Sequence, residues 1–220
     1  MDNYKITINK ENRKTLVIKI TPFGQVEVYA PTSMPDDKIL EFINQKRSWI
    51  SSKLTQKERI NDEFNQIING EKILLYGKSC LIIPSNHLSL TQNYNLFIDK
   101  NAEIDRQIKA FCTNLCNKEL TQKVKEISDK LELNYAKIKF SNAKSKWGSC
   151  DKNNEIMLNW RLIMLPSPLI EYVIIHELCH TIHFDHSKAF WHKVSTYLPN
   201  YKQLREELAK YSYLTLLYNK

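Results

Sequence analysis

His176, Glu177, His180 and His186 are the residues whose types and spacing suit chemistry. They stand in the run His176-Glu177-Leu178-Cys179-His180-Thr181-Ile182-His183-Phe184-Asp185-His186, which holds four of the chain's 6 histidines. Two imidazoles four positions apart lie one above the other on a helix face, about one turn apart. So placed, they can bind one Zn²⁺ at about 2.0–2.1 Å each. Glu177, beside the first ligand, can reach a water on the metal rather than the metal itself, as in His-Glu-x-x-His hydrolases. The preferred third ligand is His186, which leaves the fourth position open to water, as a catalytic site requires. His183 is the alternative. A straight helix would carry its ring a further turn along the axis, where closing a tetrahedron is difficult. A chain that turns back after about residue 183 brings His186 in from another direction. His183 could instead orient a ligand or meet substrate.

The surrounding elements fit this reading. Leu169-Ile170-Glu171-Tyr172-Val173-Ile174-Ile175 is a strongly apolar run with Pro168 near its first turn, so a buried helix is predicted from about 168 to 183. Asp185-His186-Ser187 can cap a following helix, predicted to about Leu198, and a last helix begins near Tyr201. Cys179 lies on another helical face from His176 and His180 and reads as packing. A buried helix whose histidines only satisfy core hydrogen bonds would explain a lone His better than it explains this cluster.

Upstream, strands are predicted at 4–9, 15–20 and 26–29, with a turn at Phe23-Gly24-Gln25. A helix opens at Pro35-Asp36-Asp37 with the stripe Ile39, Leu40, Ile43, Trp49, Ile50 and Leu54. Short strands return over 72–98. A long helix runs from Ala102 to about Leu133, with Ile104, Ile108, Phe111, Leu115, Val124, Ile127 and Leu131 on its apolar face. Residues 135–159 read as two strands around the turn Ser145-Lys146-Trp147-Gly148-Ser149-Cys150. The expected fold class is α+β: a strand-rich N-terminal part, residues 1–100, and a helix-rich metal-binding part, residues 101–220.

Composition bounds the rest. The start of the chain lacks the apolar core of a secretory signal, and no run approaches the ~20 apolar residues of a membrane span. A cytoplasmic protein without a membrane partner is expected. Five scattered cysteines, Cys80, Cys112, Cys116, Cys150 and Cys179, argue for reduced thiols. Cys112 and Cys116, four apart on a helix, could face a metal but fit packing better. The net charge is +8. Lys137, Lys139, Lys144, Lys146 and Lys152 could attract a nucleic acid or an acidic peptide, and a solvated lysine-rich surface explains them as simply.

Several blocks together resemble the YgjP-like zinc metallopeptidases, relatives by fold of the SprT-like and other zincin proteins. They are Lys46-Arg47-Ser48-Trp49-Ile50, Leu75-Tyr76-Gly77-Lys78, Lys144-Ser145-Lys146-Trp147-Gly148-Ser149-Cys150, Leu158-Asn159 and Tyr172 to His180. His186-Ser187 with Phe190-Trp191, and Leu198-Pro199-Asn200-Tyr201, complete the set. The resemblance implies a zincin-like fold, a single Zn²⁺ held by His176, His180 and His186, and Glu177 as catalytic base. The histidine spacing matches that of metzincins, with His183 where those proteins carry a glycine.

The expected reaction is peptide hydrolysis, with Glu177 accepting a proton from water and delivering it to the leaving amine. The strand Ile156-Met157-Leu158-Asn159 could offer an edge for an extended peptide, or could lie inside a sheet. Asn159, Lys146 and Tyr201 are candidates to stabilise the oxyanion or bind substrate. Trp147 and Trp191 read as core aromatics and His192 as a surface residue. Two other readings use the same ligands: an SprT-like protease acting on DNA-associated proteins, with steeply salt-dependent DNA binding, and a non-catalytic zinc module. An open coordination position and Glu177 speak against the last. Imidazole also suits divalent ions other than zinc.

Overall fold

A computed structural model describes residues 4–21, 24–68 and 70–218, without the side chains of 56–65 and 68. The chain divides into two compact units, residues 1–65 and 66–220. The strands between 72 and 99 fall within the unit that carries the histidines.

In the first unit, β1 (Ile6–Glu11), β2 (Val17–Ile20) and β3 (Val26–Pro31) form a sheet of order β1-β3-β2, with β1 parallel and β2 antiparallel to β3. Val26, Val28 and Ala30 alternate along β3 and put one face into the core. Against them pack Ile39 and Ile43 from α1 (Asp36–Gln45) and Ile50 and Leu54 from α2 (Arg47–Ile68). The predicted single helix is thus two, separated at Lys46, and Leu40 and Trp49 of its expected stripe are exposed. Phe23, in the expected turn, lies outside the described residues.

The second unit opens with β4 (Lys72–Leu75), β5 (Lys78–Ser85), β6 (Ser89–Leu90) and β7 (Asn95–Asp99), in the order β4-β5-β7-β6. Tyr76 and Gly77 join β4 to β5 with φ of 53° and 76°, the left-handed pair that a tight hairpin turn requires. A side chain at 77 would also strike Pro166, whose Cγ lies 2.8 Å from an added Cβ. The turn amides donate to the carbonyls of Ile163 and Met164, which docks this sheet on the segment ahead of the histidine helix.

The long predicted helix is α3 (Ile104–Leu115) and α4 (Thr121–Leu131), joined through a π-helical turn, Cys116–Leu120. Its buried line is Ile108, Cys112, Cys116, Leu120, Val124 and Ser128, a strict four-residue step that overruns a 3.6-residue period. The wider π turn absorbs the excess. Phe111 and Leu115 are only half-buried and Ile104 is exposed. The cysteines supply this face, and Cys116 Sγ donates to the Trp160 carbonyl at 3.0 Å.

The third sheet is β8 (Lys137–Ser141), β9 (Gly148–Cys150) and β10 (Glu155–Asn159), in the order β8-β10-β9. β10 runs parallel to β8 and antiparallel to β9. The expected turn at 145–150 therefore contains a strand, and 156–159 is the central strand, not an edge. A tight 3₁₀ turn, Trp160–Met164, leads to α5 (Ser167–Cys179), followed by α6 (Lys188–Tyr197), α7 (Tyr201–Lys210) and a closing 3₁₀ turn, Ser212–Leu216. The fold is mixed α+β. Among the described residues no helix is long and apolar enough to cross a membrane.

Candidate metal centre

α5 is apolar on every side: Leu169, Ile170, Tyr172 to Ile175, Leu178 and Cys179 are buried. That burial holds His176 and Glu177 at its last turn, with Pro168 in its first turn. The helix ends about four residues earlier than expected. His180 is its C-cap, and the Nδ1–H of His180 donates to the His183 carbonyl at 2.8 Å. This bond helps hold the chain in a turn and leaves Nε2 of His180 as the lone-pair nitrogen. His183 therefore contributes its backbone, and its ring is not one of the converging set. The turn ends where Asp185 Oδ1 accepts from the Ser187 amide and Ser187 Oγ caps α6 by accepting from Phe190.

This path brings His186 back onto the helix. One ring nitrogen from each of His176, His180 and His186 lies within 4.8 Å of the others, and Nε2 of His186 is 3.1 Å from Nε2 of His176. The rings rest on the fully buried Phe190, with centroid distances of 4.9 Å for His176, 4.3 Å for His180 and 4.9 Å for His186. Burial, reinforced by the charges of His180, His186 and Arg205, lowers the His176 pKa to about 3. Burial also lowers that of His180. Near neutral pH these two rings offer lone pairs without first losing a proton. Three convergent imidazoles fit a single divalent ion such as Zn²⁺.

Glu177 is 5% exposed, and its Oε2 has no hydrogen-bond partner among the described residues. Burial raises its pKa from 4.5 to about 8, against a lowering pull from Lys146. Above it runs β9. A Cβ added to Gly148 would lie 2.5 Å from Glu177 Oε1 and 2.6 Å from its Cγ, so this position must be glycine for the carboxylate to sit where it does. Gly148→Ala should displace Glu177, lowering turnover and costing about 1–3 kcal/mol of stability. Parallel kinetics and urea titrations check this, and wild-type values in both would show that the loop yields freely.

The other candidates separate. Asn159 is fully buried and engaged. Its Nδ2 donates to the Ala143 and Lys146 carbonyls at 2.7 and 3.1 Å, and its Oδ1 accepts from the Arg161 amide and guanidinium. It builds the loop before β9 and has no donor left for an oxyanion. Lys146 is exposed beside β9, close enough for its charge to act on Glu177. Tyr201 lies off the histidines, stacked on Trp191 at 5.2 Å. Trp191 is half-exposed rather than core, with its ring 5.7 Å from His176 and 5.5 Å from His186. Trp147 is half-buried and His192 exposed. Of the lysines in 137–152, Lys139 pairs with Glu155.

The sequence did not point to the His183 carbonyl, the β9 edge, the packing of the three rings on Phe190, or Arg205. Gly148 and Phe190 stood in the family blocks, but with no role attached. The geometry orders two substitutions. His186→Ala should weaken Zn²⁺ binding by more than the about 10–100-fold typical of losing a ligand's outer partner. His183→Ala, which keeps the carbonyl, should change it little. Competition with a chromophoric chelator measures both, and the reverse order would make His183 the third ligand.

A family model described as YgjP-like, metallopeptidase domain, matches residues 14–211. Among solved structures, the metallopeptidase zymogen abylysin of Pyrococcus abyssi aligns with a TM-score of 0.36 at 22% identity, covering 39% of this chain and 87% of that one. The comparison with curated proteins finds no match.

Proposed function

The chain belongs to the YgjP-like metallopeptidase family, and from that premise we propose that it is a zinc-dependent peptidase of zincin-like fold. His176, His180 and His186 would hold one Zn²⁺, with Glu177 as general base. The observation that carries this reading is the convergence of three imidazoles beside a buried carboxylate oxygen that has no hydrogen-bond partner among the described residues. A Zn²⁺ there would supply a Lewis acid that polarises a carbonyl and acidifies water. Glu177 takes the proton of the attacking water and returns it to the leaving amine. Gly148 lets the carboxylate sit close beneath β9, and burial keeps bulk water from it.

The partner is a peptide or protein segment in extended form. β9 has β10 on one side and, among the described residues, no strand on the other. Asn159 donates to the Trp147 carbonyl and Asp151 to the Glu155 carbonyl. By the two-residue alternation of a strand, the backbone groups of Gly148 and Cys150 therefore face outward. A substrate strand can pair with them and pass over Glu177. Lys146, at the start of this edge, is the favoured side chain to stabilise the oxyanion. Metal analysis combined with digestion of a blind peptide library, with and without chelator, tests the proposal. Stoichiometric zinc with no cleavage would overturn it.

A further inference from the structure

We propose that the groove lined by Trp191, Tyr201, Lys202, Arg205, Glu206 and Ala209 is a substrate subsite that reads a carboxylate, with Arg205 as the selecting residue. The proposal rests on the peptidase reading above and names its substrate class.

Position comes first. Trp191 is the shared wall between the histidines and this groove. One contact of its ring is with His186, at 5.5 Å between centroids, and another is with the Arg205 guanidinium, 5.2 Å from the indole centroid. Tyr201 stacks on the same indole with an interplanar angle of 17°. The groove is about 450 Å³, within the usual range for a small-ligand site of about 300–1,000 Å³. A residue next to the bond cut at the histidines would project its side chain, or its terminal carboxylate, along the Trp191–Tyr201 ledge toward Arg205.

Charge comes second. Tyr201, Lys202 and Arg205 occupy neighbouring places on the first turns of α7, three and four residues apart. Lys202 and Arg205 outweigh Glu206, so the groove carries one positive charge in excess. Arg205 is exposed, its guanidinium lies over the Trp191 ring, and among the described residues it has no ion-pair partner, so its N–H donors are open to solvent and to an incoming ligand. A guanidinium held against an aromatic face with its fork open to solvent suits a carboxylate bound through two parallel hydrogen bonds. An acidic side chain and a free C-terminus share that chemistry.

The test starts from a peptide that the zinc-loaded protein cleaves, with positions within two residues of the cut varied. One arm carries Glu in a C-terminally amidated peptide and another carries Gln there. A third is neutral throughout but ends in a free carboxylate at that place. The carboxylate-bearing peptide should be preferred by about 10- to 100-fold in kcat/KM. Preference in the first arm names an acidic side chain, and preference in the third a chain end. Arg205→Glu should invert the ratio in favour of Lys at the same position, with zinc content intact, and Arg205→Lys should retain part of it. Equal kcat/KM for all arms in the wild type would overturn the subsite and leave the peptidase reading standing. If no peptide is cut, the peptidase reading fails. In that case a matched set of short peptides of one arbitrary sequence, carrying Glu, Gln or a free C-terminal carboxylate, titrated against zinc-loaded Glu177→Gln protein by tryptophan fluorescence decides the subsite, and equal Kd values overturn it.

Discussion

Glu177→Gln protein should keep its zinc and its fold while its peptide turnover falls by about 10²–10⁴-fold, the span of a general acid–base group. The substitution preserves volume in a place with little to spare, because the side chain lies against Gly148 and is 5% exposed. The amide neither accepts a proton from water nor returns one to an amine. Turnover close to wild type would remove Glu177 as the base, and turnover absent from both proteins would favour a zinc module without catalysis.

The same variant has a signature that needs no substrate. In the metal-free protein, burial raises the Glu177 pKa from 4.5 to about 8. Between those values the folded chain holds a proton that the unfolded chain releases. The penalty for burying the charge is therefore absent below about pH 4.5 and complete above about pH 8. Glutamine never carries it. Metal-free Glu177→Gln should melt above metal-free wild type on the alkaline side, and the two curves should approach each other as pH falls. His176 moves the other way: its pKa drops from 6.5 to about 3, so stability is lost as pH falls below about 6.5. That loss is common to both proteins and cancels in the comparison. Identical alkaline melting temperatures would mean that the carboxylate is not charged in a buried place.

The convergence of His176, His180 and His186 was legible because it is local: side chains at these positions need only a helix end and a turn to meet, and both are written in adjacent residues. What stayed hidden depends on backbone or on distant contacts. The His180 ring is oriented by the His183 carbonyl, a group every residue carries, so residue type cannot announce it. Gly148-Ser149-Cys150 is a strand only because β10 pairs with it, and three residues are too few to show alternation. The parallel pairing of β8 with β10 requires the chain to leave and return, which periodicity does not reveal. The π turn between α3 and α4 was foreshadowed by the four-residue recurrence of Ile108, Cys112, Cys116 and Leu120, but cysteine reads as chemistry before it reads as packing. Tryptophan is buried more often than not, which makes Trp191 read as core, yet its ring lies between His186 and Arg205 and is half-exposed.

Arg161→Ala should destabilise the protein by about 2–5 kcal/mol, from buried acceptors left unpaired and from the cavity opened, and lower Tm by on the order of 10 °C. Arg161 is fully buried in the otherwise apolar run Trp160 to Leu165. Nε donates to the Leu217 carbonyl at 2.9 Å, Nη2 reaches the carbonyls of Leu217 and Tyr218, and Nη1 lies 3.4 Å from Asn159 Oδ1. Its guanidinium is 4.2 Å from the Trp160 ring centroid. Burial lowers its pKa from 12.5 to about 10, so it remains charged at neutral pH. Alanine would strand these acceptors in a dry interior and open a cavity beside them. The damage should reach the three histidines and Glu177 along a traceable path. Asn159 holds the Ala143 and Lys146 carbonyls, and Thr215 in the closing turn donates to the Lys144 carbonyl at 2.8 Å. Arg161 thus ties the chain's end to the loop that carries Gly148 over Glu177. Urea titration should show a lower midpoint with an unchanged slope, together with slower peptide turnover in whatever folded protein remains. A midpoint within experimental error of wild type would show that the C-terminal turn holds this loop without the arginine.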